Sequence, residues 1–200
     1  MTPAEQVLAA LASHGLLIKQ DKALPSVVGI LTGESLSTSW WSHPKGRLIF
    51  VVLSELADHP DVLITKLLDR KDTLVHRALW PALLAVAQSR QPWQLHGLSP
   101  SATSLLERID RGEGAVRASG AAVKELETCL LAVAREVHTE SGRHEMVLEP
   151  WDVWAARVRC KPLRSVPNAR KVLEDAVTAF GASAKALPWP PSGAGSPMPM

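Results

Sequence analysis

The chain has 200 residues, of which 46% are hydrophobic and 21% are charged, and its formal net charge is +2. A chain of this composition can bury a core, which excludes wholesale disorder, and its length suits one domain or two small ones. A net charge so near zero gives no global field that would steer nucleic acid. DNA binding would therefore need a local basic patch.

Tryptophan supplies most of the aromatic volume, with seven Trp, two Phe and no Tyr.

The spacing of Cys129 and Cys160 fits no metal-binding or redox motif, which agrees with a reducing cytosol. The longest apolar run, Leu48 to Leu53, is far shorter than the ~18 residues of a membrane span. The N-terminus lacks the features of a signal peptide. We therefore expect a cytoplasmic protein with no membrane contact.

Helical spacing of apolar residues predicts three helices in the first quarter of the chain. The first lies within residues 4–18 and ends at Gly15, and the second runs from Pro25 or Ser26 to Gly33. The third covers residues 43–58, with Pro44 in its first turn. Its centre, LIFVVL, is apolar nearly all round, so we expect this helix to be buried.

A β-hairpin is predicted over residues 61–80, where two β-favouring runs flank Asp69-Arg70-Lys71-Asp72 as the turn. Pairing Leu68 with Thr73 would place His76 opposite Thr65, on the more apolar face. A slip of one residue would exchange the two faces. Pro81 then begins another helix.

The second half of the chain repeats this order of helices and hairpin. Helices are predicted over 99–112, beginning at Ser99 or Ser101, and over 121–132. A tight hairpin over 135–148 turns at Ser141-Gly142, with Glu140 opposite Arg143. That register places one set of side chains inward (Arg135, Val137, Met146, Leu148) and another in solvent (Glu136, His138, Glu145, Glu149).

A last helix is predicted over 168–180, capped by Asn168. We expect its core-facing residues to be Val172, Ala176, Ala179 and Phe180.

Helices followed by a hairpin, twice over, indicate an α+β fold, mostly helical, with tandem winged-helix-like units. The first unit covers 1–90, residues 91–98 form a linker, and the second unit covers 99–155. The second has one helix between Gly120 and its hairpin, where a full winged helix has two, so it is either truncated or a mimic. Residues 156–190 form a basic connector and a helix that packs back, and 191–200 a disordered tail.

Catalytic patterns are scarce. Glu136, His138, Glu140 and Glu145 could share a hairpin face and hold a divalent metal, but their spacing fits no zinc motif. The alternative is a solvated face with cross-strand pairs, so we expect no metal. No Ser–His–Asp order, glycine-rich phosphate loop or CxxC motif is present, and we expect no cofactor.

A few residues are weak catalytic candidates. Trp40 and Trp41 lie in a predicted loop beside His43, which could equally be a helix cap, and His138 lies in the second hairpin. We interpret His76 as a semi-buried histidine with satisfied hydrogen bonds.

Two basic segments are candidates for phosphate contact. Arg70 and Lys71 lie at the tip of the first hairpin, and Lys66 and Arg77 share one face of it. The segment 157–171 has six basic residues and no acidic one, although it could also be a solvated connector. Its candidate residues are Arg157, Arg159, Lys161 and Arg164.

The third helix argues against base recognition, because its centre is too apolar to read a groove and its basic residues stand only near its start.

Three blocks carry a family resemblance: SWWSHPKGRLIF (39–50), TLVHRALWPALL (73–84) and REVHTESGRHEMVLEPWDVW (135–154). With them the chain resembles uncharacterised bacterial proteins called AlkZ-related, over most of residues 5–190. That group is similar to the AlkZ-type DNA glycosylases, which are built from tandem winged helices. The resemblance implies a winged-helix body and a DNA partner.

The glycosylases position the hydrolytic water with a Gln-x-Gln or Gln-x-Asp pair. None of the five glutamines of this chain (Gln6, Gln20, Gln88, Gln91 and Gln94) makes that spacing with Gln or Asp. Base excision is therefore not carried over by the resemblance.

Three functions remain open. The first is a non-catalytic, double-stranded-DNA-associated winged-helix protein that uses the two basic segments. The second is a glycosylase-like enzyme acting on damaged bases, with Trp40 or Trp41 stacking on the base and His43 nearby. The third is a protein-interaction module, with a protein partner or a homo-oligomer, which the near-neutral charge favours.

Overall fold

A computed structural model describes residues 1–36, 38–112, 116–138 and 144–190, without the side chains of 136–138 and 144–145. About half of the residues are helical, and the strands form two three-stranded antiparallel sheets. The prediction of an α+β fold is confirmed at this level. The predicted tail, 191–200, lies outside the described residues.

The first sheet is built by the first 76 residues. Its strands have the order β1-β3-β2. A single 3-10 turn, Trp40–Ser42, precedes the third helix. The elements are α1 (Pro3–His14), β1 (Leu16–Ile18), α2 (Val27–Thr32), α3 (Gly46–Ala57), β2 (Val62–Leu68) and β3 (Lys71–His76).

Local capping explains where the first two helices begin and end. Thr2 and Glu5 form a capping box at the start of α1, and Gly15 ends α1 with a left-handed φ of 75°. Ser26 caps α2, which stops at Gly33. The predicted ends at Gly15 and Gly33 are confirmed.

The prediction that the third helix is buried all round is wrong. Only one side of α3 packs on the core, through Ile49, Val52 and Leu56. Phe50 and Val51 point away from the core and are 38% and 52% exposed. Because a single sheet and two helices cover one side only, the helix leaves its second apolar face in solvent. The helix begins at Gly46, so Pro44 precedes it and is not in its first turn.

The first hairpin has a shorter turn than predicted. Asp69 and Arg70 alone form it, both with positive φ (48° and 59°), and Leu68 pairs with Lys71. Leu68 does not pair with Thr73, and His76 stands opposite Val62. An irregularity between Lys66 and Leu68 shifts the register further along the strand. The two buried threonines of this hairpin, Thr65 and Thr73, are cross-strand partners.

The second half of the chain forms the second sheet, with strand order β4-β6-β5, and the remaining helices. The predicted linker, 91–98, contains a four-residue helix. The elements are α4 (Trp80–Ala87), α5 (Pro92–Leu95), α6 (Pro100–Asp110), β4 (Val116–Ala118), α7 (Ala121–Thr128), β5 (Val133–His138), β6 (His144–Glu149), α8 (Trp151–Val158) and α9 (Val166–Ala179).

The predicted register of the second hairpin is wrong by one residue, although Met146 and Leu148 pack inward as predicted. Val137 pairs with Glu145 and His138 with His144, whereas pairing Glu140 with Arg143 would set Val137 opposite Met146. Arg135, predicted to face inward, is exposed. Glu149, predicted to lie in solvent, is buried. The turn itself, residues 139–143, lies outside the described residues.

The last helix starts earlier than predicted, because Ser165 rather than Asn168 caps α9. Its buried face consists of Ala169, Leu173 and Val177, followed by Phe180. Val172 and Ala179, predicted to face inward, are exposed. Phe180 and Ala176 do pack on the core as predicted, so the prediction is confirmed for two of its four residues.

Buried apolar residues form two clusters. The larger takes in α1 to α4, but also Trp151 and Trp154 of α8 and Leu173 of α9. The smaller lies between α6, α7, β4 and β6. Helix α9 packs along α4. The core that begins in the first half of the chain is therefore completed by its last helices.

One buried amide joins helix ends from both halves. Gln94 is 0% exposed. Its Nε2 donates to the carbonyls of Ala87 (3.0 Å) and Cys129 (3.2 Å), at the ends of α4 and α7. Its Oε1 accepts from the backbone N–H of Gln91 at 2.9 Å. These are the groups that helix ends leave without intrahelical partners.

We expect Gln94→Leu to lower the free energy of unfolding by about 3 kcal/mol, because it leaves two buried carbonyls and one N–H unsatisfied. Urea denaturation measures the loss. The control is Gln88→Leu, at an exposed position six residues earlier, which should change stability by less than about 0.5 kcal/mol. Equal effects of the two substitutions would contradict the role assigned to Gln94.

Candidate nucleic-acid interface

The basic residues at the first hairpin tip are largely neutralised by carboxylates. Lys66 contacts Asp72, and Lys19 approaches the same carboxylate at 3.3 Å. The Nζ of Lys71 lies 2.7 Å from Asp21. Arg70 is exposed, and no described acid forms an ion pair with it.

The two acids at the tip are held in their charged form. Burial by itself would raise the pKa of Asp21, but hydrogen bonds from Lys71 and the N–H groups of Ala23 and Leu24 outweigh it and lower that pKa to about 2. Burial opposes ionisation of Asp72 as well, yet Lys66 and Lys19 keep its pKa below the ordinary value. The tip is therefore an ion-pair network rather than a set of free cations.

One side of the tip faces α7. Glu127 on that helix is buried, and its carboxylate interacts electrostatically with Lys66 and Asp72. Burial, the largest effect, raises the pKa of Glu127, and the negative Asp72 adds to it. A hairpin tip with a buried carboxylate beside it offers phosphate a restricted approach.

Arg77 lies at the opposite end of the hairpin, beside the connector. Its guanidinium pairs with Asp61 at 2.9 Å. Burial raises the pKa of the Cys160 thiol, and the positive charge of Arg77 partly opposes that rise. The N–H of Leu163 donates to the carbonyl of Pro81 at 2.9 Å, which ties the connector to the start of α4. At about 3.3 Å per residue, Arg77 is about 20 Å along the strand from Lys71. The four predicted hairpin residues therefore fall at two separate places.

The connector carries three cations that the structure leaves in solvent. Arg157 contacts the buried Glu149, so it is occupied. Arg159, Lys161 and Arg164 are exposed, and none of them has an ion-pair partner in the described part of the chain. Arg159 ends α8 in the left-handed conformation, with φ 55°. We call Arg159, Lys161 and Arg164 the connector edge.

The aromatic candidates lie at the start of α3. Trp40 is buried, and Trp41 is 64% exposed and stacks on Trp40 with ring centroids 4.1 Å apart. The Nδ1 of His43 accepts from the N–H of Lys45, and its Nε2 lies 3.1 Å from Glu34. Both ring nitrogens of His43 are thus engaged, which leaves none to activate a water. The side chain of His138 is not described.

No metal or membrane site is found in the part of the chain that the structure describes. No group of three His, Cys, Asp or Glu among those residues could hold a metal ion. No described helix is long and apolar enough to cross a bilayer. A cleft of about 300 Å³ lies where α4, α6 and α8 meet, but Arg90 and Asp110 in its lining pair with each other, and no predicted site residue lines it.

Sequence reasoning missed two of the acids that pair with the cations of the first hairpin. Asp21 stands 50 residues before Lys71, and Asp61 stands 16 before Arg77. Only Asp72, which lies inside the predicted turn, could be recognised as an ion-pair partner from the local sequence.

A comparison with known proteins found no match among family models, curated proteins or solved structures.

Removing the charge of Asp21 should make stability less dependent on pH. We expect Asp21→Asn to cost about 1 kcal/mol at neutral pH, a value reduced by the exposure of Lys71. Because the pKa of Asp21 falls from 3.8 to about 2 on folding, its contribution is complete above the first value. It is lost as the pH falls through the second.

Urea unfolding of both proteins over a series of pH values tests this expectation. The difference between wild type and variant should shrink toward the acid end. A difference that stays constant over the whole acid range would contradict the role of the ion pair.

Proposed function

We propose that the chain is a DNA-associated winged-helix protein that contacts phosphates through the connector edge and has no catalytic role. The observation that carries the proposal is the exposure of Arg159, Lys161 and Arg164 without ion-pair partners in the described residues. The sequence from Arg159 to Ser165 has no acidic residue. Such a cluster binds phosphate by charge neutralisation and counterion release.

The element order supports a winged-helix body. The first unit runs helix, strand, helix, helix and hairpin, and its sheet order is β1-β3-β2. The second unit has the same order with one helix missing before its hairpin, and the matching sheet order β4-β6-β5. We therefore propose tandem winged-helix-like units, the second truncated, as the resemblance to the AlkZ-related proteins implies.

The proposed contact is independent of DNA sequence. Lys66 and Lys71 at the tip are already paired, so the wing contributes only Arg70 directly. At the middle of the outward face of α3, Phe50 and Val51 stand where a recognition helix would present groups that hydrogen-bond to base edges. Phosphate contacts fix position on a duplex but carry no direct base readout.

A protein-interaction module is the second candidate, and the exposed apolar face of α3 favours it. The glycosylase hypothesis receives no such support, because His43 has both ring nitrogens engaged.

Neutralising the connector edge should weaken DNA binding and flatten its salt dependence. The variant Arg159→Ala/Lys161→Ala/Arg164→Ala removes three cations. We expect the slope of log K against log salt to lose about 0.9 per phosphate contact removed. Fluorescence anisotropy with a short labelled duplex measures both quantities.

The charge-matched control is Arg108→Ala/Lys124→Ala/Arg135→Ala, three exposed cations on α6, α7 and β5. It should retain most of the wild-type affinity and slope. Absence of wild-type binding at low salt would refute the proposal. Equal losses in the two triple variants would refute the location of the contact.

A further inference from the structure

The outward face of α3 is apolar in the middle and charged at its ends. Residues at spacings of three and four share this face, opposite the buried Ile49, Val52 and Leu56. Val51 lies at its centre, with Phe50 (38% exposed) and Leu48 (36% exposed) flanking it on opposite sides. The exposed Ser54 follows Val51 by one turn. Trp41 extends the apolar surface past the start of the helix, with its ring centroid 5.7 Å from that of Phe50.

The charges on this face are arranged by sign along the helix. Arg47 stands near the N-terminal end, and Glu55 and Asp58 stand at the C-terminal end. All three side chains are exposed, and none forms an ion pair with another described residue. One positive end and one negative end, separated by two turns, are left unneutralised.

We propose that α3 pairs antiparallel with α3 of a second copy of this chain, about a twofold axis near Val51. In that arrangement Arg47 of each copy meets Glu55 and Asp58 of the other. The same twofold brings the two apolar centres together, which removes Phe50 and Val51 from water. Because this face is complementary to itself under a twofold rotation, a second copy of the chain can pair all of its charges and cover its apolar centre.

The charges also exclude duplex DNA as the occupant of this face. Glu55 and Asp58 would approach phosphate, whereas the second copy offers each of them an arginine. A single helix pair with a few flanking residues buries less surface than a permanent dimer does, so the association should be weak and depend on concentration. This proposal is independent of DNA binding, and its test uses the protein alone.

Sedimentation velocity of the full chain over a wide concentration range tests the pairing. The wild type should shift from monomer to dimer as concentration rises. Arg47→Glu and Glu55→Arg/Asp58→Arg each place like charges opposite one another, and we expect either to weaken the dimer about a hundredfold. Both sites are exposed, so the circular dichroism melting curve should stay close to that of the wild type.

Mixing the two reversed variants separates this geometry from any other. In a mixed pair, both ends of the interface again join opposite charges, so the mixture should dimerise although neither variant does so alone. Val51→Ser should also weaken the dimer, whereas Val172→Ser, at a 40% exposed valine on α9, should not.

A wild type that stays monomeric at every concentration overturns the proposal. Reversed variants that dimerise as the wild type does, or a mixture that remains monomeric, overturn it equally.

Discussion

The fold depends on the rule that buried backbone polar groups must find partners, and Gln94 satisfies it for several helix ends at once. Helices α4 and α7 end inside the protein, where water cannot accept from or donate to their last peptide groups. The amide of Gln94 donates to a carbonyl at each of those ends, and its oxygen accepts from the N–H of Gln91 at the start of α5. A polar contact therefore joins the two halves alongside the apolar packing of Leu130, Val133 and Trp151 in the larger core.

Many charged side chains of this protein form ion pairs with one another. Lys71 at the hairpin tip, Lys66 on β2 and Arg157 on α8 each meet a carboxylate, and partial burial strengthens several of these pairs. The chain is nearly neutral overall, yet Arg159, Lys161 and Arg164 stand together on a stretch that has no acidic residue. Local pairing rather than total charge decides which surface is electropositive.

The sequence was most informative where a local chemical group fixes the backbone. The caps at Ser26 and Ser99 follow from their hydroxyl groups, and the stops at Gly15 and Gly33 follow from the left-handed backbone that glycine adopts. The register of the first hairpin was harder to predict, because Asp69 and Arg70 adopt a left-handed turn that usually contains glycine or asparagine. The candidate site was hardest to predict from the sequence, because tertiary packing brings Lys71 and Arg77 to partners that lie far away along the chain.

The course of the chain through its two cores bears on how the protein is made. The larger core starts with α1 and is closed only by α8, α9 and the buried Trp189, with the second sheet inserted between. During synthesis the first 90 residues leave the ribosome long before the helices that cover them, so α4 exposes apolar surface in the meantime. The long sequence separation of these contacts also predicts slow folding. Nascent chains should therefore depend on chaperones until the last helix has emerged.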